Sequence, residues 1–302
     1  GAGGRVMIET PIRIGVVGTD NSHAAQIIRL FNIDRRLPHG SVVAVCGEPQ
    51  AAGELAAQGG IDRVVAEPEG LLGLVDAAIV TDRHGALHAV HALPLIRAGL
   101  PVWVDKPFAT STADAERMLA AASEAAAPLT SYSVLRWTPE IVSLRALAEQ
   151  SPLETLTVRG TADTESPYGG VFFYGIHLAE IACHLAPGPV QVQAVTRSAD
   201  AVRVDALLGD TRVAIELLTP AGEQPVPFQV AAGRAGRTES VTVALGADYL
   251  LPAIDRFLQM VIHRTPPLPA LELLRPVALL EQVERRLATL RRNHDEARGR
   301  HG

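Results

Sequence analysis

The feature that most constrains this chain is a regular alternation, through its first half, of short apolar runs with helical patterns. Residues 12–18 read as a strand and 24–31 as a helix; 41–46 and 50–58 repeat the pair, as do 77–81 and 87–98. Residues 101–104 and 112–126 repeat it once more, and 129–132 close the series as a strand. Strands and helices alternating at this spacing build βαβ units and a parallel sheet. The strands are apolar at nearly every position, as expected when helices cover both faces of the sheet. The second half changes character. Helices are expected over 140–148 and 176–185, and strands over 153–161, 190–196, 201–208, 212–218, 228–232 and 240–245. Gly209-Asp210 is a two-residue hairpin signal. This half reads as a large, mainly antiparallel sheet with one face on helices. Two helices, about 249–263 and 271–292, close the chain around a break at Pro266, Pro267 and Pro269, and the tail after Asn293 reads as disordered.

A length of 302 residues suits two domains. The expected division is an α/β nucleotide-binding domain over 7–132 and an α+β domain over 133–302 that binds substrate and carries oligomer contacts, with 1–6 an appended leader. A formal net charge of −6 disfavours a nucleic-acid partner. No apolar run has bilayer length, and no charged-then-apolar leader opens the chain, so no membrane partner is expected. Two cysteines, Cys46 and Cys183, lie in a strand-like and a helix-like run; they make no disulfide framework, which suits the cytoplasm. Of 27 lysines plus arginines only Lys106 is lysine. Surface arginine replaces lysine at little cost, so the one lysine retained marks a place where a compact ammonium with a movable pKa is required.

Residues Gly15-Val16-Val17-Gly18-Thr19-Asp20-Asn21-Ser22-His23 join a strand to a helix, the place for a phosphate-binding turn. A dinucleotide turn calls for three glycines. Gly18 supplies the first, whereas Asp20 and His23 stand where the second and third belong. Asp20 or Ser22 has the alternative role of helix cap. Glu48, just past the second strand, is the candidate partner of an adenosine ribose, or a solvated turn residue; no arginine follows it immediately, so NAD is favoured over NADP. Val102-Trp103-Val104-Asp105-Lys106-Pro107 ends a strand and turns, aiming Lys106 at the crevice where open parallel sheets hold ligands.

With Gly18, this Asp-Lys-Pro resembles the Gfo/Idh/MocA family of NAD(P)-dependent oxidoreductases. Thr81 and His88 are similar to that family's stretch after the fourth strand, although Asp82-Arg83 replaces its Pro-Asn. Arg136-Trp137-Thr138-Pro139 resembles its Arg-Phe-x-Pro. Gly169-Gly170 followed by Gly175-Ile176-His177, with Glu180 three residues on, resembles the start of its second-domain helix. The resemblance implies a Rossmann-type first domain that binds NAD or NADP through Gly18, Thr19, Asp20, Ser22, His23, Glu48, Thr81, His88, Asp105 and Lys106. It implies hydride transfer to or from a hydroxylated, sugar- or polyol-like small molecule. Lys106 is then expected to stabilise charge on the reacting oxygen, and His177 to act as general acid and base. A homodimer or homotetramer, joined through the open face of the second sheet, is also implied.

One departure stands out. The family's catalytic aspartate, four residues before the histidine, is here Phe173. Phe173 and Tyr174 make an aromatic wall for a less polar substrate, with Tyr168 and Arg136 as candidate substrate contacts; for those two, core packing or a salt bridge is the equal alternative. Asp20 and Phe173 favour a second reading, a non-redox descendant that binds a ligand or acts as a lyase or isomerase. Lys106, His177 and Glu48 favour the oxidoreductase. His84, His88 and His91 share a helix face, but no cysteine or acidic ligand is evident beside them and no metal is expected.

Overall fold

A computed structural model of the chain describes residues 10–222 and 227–300. The segment 1–6 lies outside them. The first sheet contains β1 (Ile12–Val17), β2 (Gly40–Cys46), β3 (Arg63–Val65), β4 (Ala77–Val80), β5 (Val102–Val104) and β6 (Leu129–Thr130). All pairings are parallel, and the order is β3-β2-β1-β4-β5-β6. The order reverses between β1 and β4, so the crevice outside their carboxyl ends is the expected ligand site. Helices α1 (Ser22–Ile28), α2 (Pro49–Gln58), α3 (His88–Arg97) and α4 (Thr112–Ala125) form the crossovers. Burial on both faces explains the apolar strands: all four residues of β4 are buried. Strand β3 escaped the sequence reading, because three partly exposed residues at a sheet edge carry no alternation.

The second sheet combines β7 (Thr155–Thr161), β8 (Val190–Arg197), β9 (Ala201–Leu208), β10 (Thr211–Leu218), β11 (Phe228–Arg234) and β12 (Arg237–Val243) in the order β12-β11-β7-β10-β9-β8. Only β7 and β10 pair in parallel. Gly209-Asp210 makes the two-residue β9–β10 hairpin, with Leu208 opposite Thr211. Strand β9 alternates buried and less buried positions, the mark of a sheet with one covered face. The cover includes α6 (Phe172–Leu185), which packs on β7 and β10, beside α5 (Pro139–Gln150) and α8 (Ala270–Gly299). Helix α7 (Leu251–His263) precedes α8. Helix α6 starts earlier than 176, which places Phe173 and Tyr174 on its first turn. Helix α8 runs to Gly299, so residues 294–299 of the tail expected to be disordered are helical.

Helix α6 is buried on nearly every side, so its polar ends need protein partners. Arg275 of α8 donates to the carbonyls of Cys183 (2.7 Å), Ala186 (2.6 Å) and Gly188 (2.8 Å), closing its carboxyl end. Removing that guanidinium leaves these carbonyls without donors away from water. Arg275→Leu is expected to lower unfolding free energy by about 2–3 kcal/mol in urea titration; a change within error would show that water replaces the guanidinium.

Candidate active site

The turn after β1 is held from both sides. Gly18 adopts φ +97, and a Cβ there would lie 2.8 Å from the Asp82 backbone nitrogen, so only glycine fits. The Thr81 hydroxyl donates to the carbonyls of Val17 (2.9 Å) and Gly18 (3.3 Å). Asn21, and neither Asp20 nor Ser22, caps α1 by accepting the His23 N–H at 3.1 Å. Asp20 accepts the Arg83 N–H at 3.1 Å. The turn separates two cavities. Gly18, Thr19 and Asp20 line one of about 510 Å³, together with Glu48, Glu67, Asp82 and His91. Ser22 and His23 line another of about 320 Å³, together with Lys106, Tyr174, His177 and Tyr249. Glu48 doubles as the cap of α2: its carboxylate accepts from Ala51 (3.0 Å) and Gln50 (3.1 Å), and these donors hold its pKa below the ordinary value.

Lys106 lies two residues past the end of β5 and is buried. Burial lowers its pKa, against the attraction of Asp105 and Glu180. Its ammonium lies over the rings of Phe173 (5.2 Å) and Tyr174 (5.4 Å), and no described residue accepts a hydrogen bond from Nζ. The Asp105 carboxylate beneath it contacts His23 Nδ1 at 2.6 Å and accepts the backbone N–H of Lys106 at 2.8 Å. Burial would raise the Asp105 pKa, but His23 and Lys106 outweigh it and hold it at about 2. His23 is raised in turn, by Asp105 foremost, against burial and Lys106.

Spacings of three and four put His177, Glu180 and His184 on one face of α6. That face meets a short turn, Val134–Trp137, and the residues around it. His177 Nδ1 lies 2.6 Å from Ser133 Oγ, a partner that sequence reasoning missed because a lone serine 44 positions away carries no signal. Burial, then Lys106 and His23, push the His177 pKa well below the ordinary histidine value. Glu180 accepts the Ser133 N–H and faces Arg136 Nε at 3.4 Å; burial raises its pKa. Arg136 also donates to His184 Nδ1 at 2.8 Å and to the Glu272 carbonyl at 3.3 Å.

Several residues singled out in the sequence therefore serve structure. Arg136 is fully buried in its ion pair and lines neither cavity. Thr81 holds the turn. His88, also fully buried, bridges the carbonyls of Pro107 (2.6 Å) and Asp82 (2.7 Å) and so joins two strand ends. Tyr168 packs at a tilt against Phe173, ring centroids 5.2 Å apart, and takes Arg83 on its ring and hydroxyl. His84 caps its own turn, and His91 contacts Asp82 at 2.8 Å; no metal-binding group of side chains occurs among the described residues. Lys106 and His177 do share one cavity, which also takes in Phe228, Leu245 and Tyr249. These three come from the second half and were not anticipated. Among the described residues, no helix is long and apolar enough to cross a membrane.

A parallel sheet in the order 3-2-1-4-5-6, a glycine turn at its switch point and two cavities on either side of that turn define a dinucleotide-binding architecture. Residues 12–133 match the model of GFO_IDH_MocA, the oxidoreductase family with an NAD-binding Rossmann fold. A D-apiose dehydrogenase of Paraburkholderia graminis is 28% identical over 204 residues, which take in 61% of this chain and 52% of that protein. The match thus spans about half of that relative's length. GenD2 from gentamicin A biosynthesis, solved in complex with NAD, has a TM-score of 0.79 at 17% identity, covering 95% of this chain and 97% of that one. The scyllo-inositol dehydrogenase of Lactobacillus casei, solved with NAD(H) and scyllo-inositol, has a TM-score of 0.73 at 14% identity, covering 90% and 96%. These structures share the fold of both domains.

Two stability tests follow from the buried network. Arg136→Ala strands Glu180 and is expected to cost about 3–5 kcal/mol in chemical denaturation; a loss below 1 kcal/mol would mean water or Glu180 protonation repairs the site. His184 must stay neutral to accept from Arg136, and burial, with Arg136 and Arg145, holds its pKa at about 3. In the unfolded chain it titrates near ~6.5. Between these values the unfolded state binds the extra proton, so stability falls as pH drops through that window, by about 1.4 kcal/mol per pH unit. His184→Gln is expected to flatten this slope by one proton, and an unchanged slope would assign it to other groups.

Proposed function

We propose that the chain is an NAD-dependent oxidoreductase, transferring a hydride between the nicotinamide and a hydroxylated carbon of a small sugar- or polyol-like molecule. The observation that carries this reading is the Gly18–His23 turn dividing two cavities, one rimmed by carboxylates and one by Lys106 and His177. The site fits the cofactor at the first glycine of its turn, where the Asp82 backbone leaves no room for a Cβ at Gly18, and at Glu48, which lines the cavity beside that turn. Asp20, Glu48, Glu67 and Asp82 beside a single histidine favour a ribose with free hydroxyls over one bearing a 2′-phosphate. A dinucleotide would be held by Gly18, Thr19 and Glu48 on one side of the turn and by Ser22 and Lys106 on the other, and its nicotinamide would supply the hydride acceptor or donor. Lys106 donates a hydrogen bond to the reacting oxygen and stabilises its negative charge, since no described residue accepts a hydrogen bond from Nζ. His177, neutral and steadied by Ser133, holds the same oxygen.

The segment 7–132 carries the nucleotide in this reading, and 133–302 closes the substrate cavity. The open face of the second sheet, studded with Arg159–Glu216 and Arg203–Glu216 pairs, is the surface for a homodimer or homotetramer, which light scattering would reveal. Two buried free thiols suit a reducing compartment. Phe173 supports the second reading, a ligand-binding, lyase or isomerase descendant, because its ring covers the Lys106 ammonium where the family has a carboxylate.

Fluorescence titration separates the two readings. NADH is expected to bind, and more tightly than NADPH; no binding of either at millimolar concentration rejects the oxidoreductase. D-apiose and the inositols are the first substrates to assay. Lys106→Arg is expected to lower turnover at least about 100-fold with circular dichroism unchanged. Wild-type rates would remove Lys106 from the reaction. Phe173→Asp is expected to raise polyol turnover, and a folded variant with unchanged or lower rates would show that the aromatic ring belongs to the mechanism.

A further inference from the structure

Oxidation of a hydroxyl releases a proton as well as a hydride, and the reading above, on which this inference rests, leaves that proton without a carrier. Phe173 cannot take it. His177 is a weak base, pushed down by burial foremost and then by the charge of Lys106. Lys106 is needed in its charged form to hold the developing oxyanion.

His23 meets the requirement by geometry. It sits on the first turn of α1, where a dinucleotide turn would place its helix-packing glycine. Its Nδ1 lies 2.6 Å from Asp105 Oδ2. Asp105 is 4% exposed and is held in place by the Lys106 N–H at 2.8 Å and the Asn21 amide at 3.4 Å. An ionised carboxylate only accepts, so His23 carries its proton on Nδ1 and keeps a lone pair on Nε2. The ring lines the same cavity as Lys106 and His177, and no described residue hydrogen-bonds Nε2.

We propose that His23, oriented by Asp105, is the acid–base residue of this site. In the oxidative direction the substrate O–H bond breaks and an Nε2–H bond forms on His23. The O–H electron pair becomes the second bond of the carbonyl while the C–H pair leaves as hydride to the nicotinamide. In the reductive direction the imidazolium returns its proton to the oxygen. Asp105 stabilises that imidazolium, as the closing half of a carboxylate–histidine pair. The charged and titratable groups facing His23 are Asp105 and Lys106 from the end of β5, His177 from α6, and Tyr174 and Tyr249 along the cavity. Asp105 is the strongest influence and raises the His23 pKa, against burial and Lys106.

Two measurements decide the matter. Ring-nitrogen NMR of the protein without added ligand is expected to show His23 as the Nδ1–H tautomer, titrating above ordinary histidine, with its midpoint falling by about one unit or more in Asp105→Asn. An Nε2–H tautomer, or a midpoint indifferent to Asp105, overturns the proposal whatever the protein binds. In the second, His23→Gln is assayed with NADH, NAD and the inositols. Turnover is expected to fall about 100-fold or more, far beyond any loss of NADH affinity, and the rise of oxidation rate with pH is expected to disappear. Turnover equal to wild type with NADH still bound overturns His23 alone. Failure of the wild type to bind NADH overturns the nicotinamide reading instead, and leaves the ring titration to judge the His23–Asp105 pair.

Discussion

The cleft depends on one buried carboxylate. Asp105 lies at the carboxyl end of β5 with hardly any contact with water, and an isolated charge in that position would be expensive. It remains ionised because His23, the Asn21 amide and the Lys106 N–H converge on it. These donors come from two crossovers of the first sheet, so the same interaction that solvates the carboxylate also fixes the start of α1 against the end of β5. Lys106 is the next residue, and its backbone is held by that contact. The glycine turn, the helix start and the lone ammonium are thereby one unit.

The second-domain wall of the cleft rests on Arg136. Its guanidinium is fully enclosed, and Glu180, His184 and the Glu272 carbonyl surround it. Glu180 also receives the N–H of Ser133, the residue whose hydroxyl meets His177. A buried charge network thus fixes the face of α6 that carries His177, Glu180 and His184, and His177, towards the start of the helix, is the one of the three that lines the cavity. The aromatic series Tyr168, Phe173, Tyr174, His177 and Phe228, with ring centroids 5.0–6.0 Å apart, continues the wall beneath Lys106.

Much of this was legible in the sequence. Unbroken apolar runs such as Ala77–Val80 announce doubly covered parallel strands, and Gly18 and Lys106 could be placed at strand ends because punctuation there is strong. Side-chain partners were less legible. A motif position indicates where Thr81, His88 and Arg136 lie in the fold, but not whether they face a ligand or satisfy buried carbonyls and carboxylates; all three do the latter. Ser133 and Tyr249 were invisible because each matters through a residue far away in the chain, His177 in one case and Gln26 in the other. The long last helix was shortened in the reading because its end is exposed and nearly all polar, with no apolar periodicity to mark it.

That helix has a mechanical consequence. Glu281 of α8 accepts both the N–H (2.7 Å) and the hydroxyl (3.0 Å) of Thr112, at the start of α4 in the first domain. Its neighbour Gln282 bonds the backbone of β8 in the second, at Val192 (2.9 Å) and Val190 (3.3 Å). Adjacent residues of one rigid rod therefore clasp both halves of the molecule. Opening the cleft like a book would have to tear that clasp. The cavity meets solvent instead beside Leu245, 47% exposed, and Tyr249, whose hydroxyl is tethered to Gln26 at 3.0 Å.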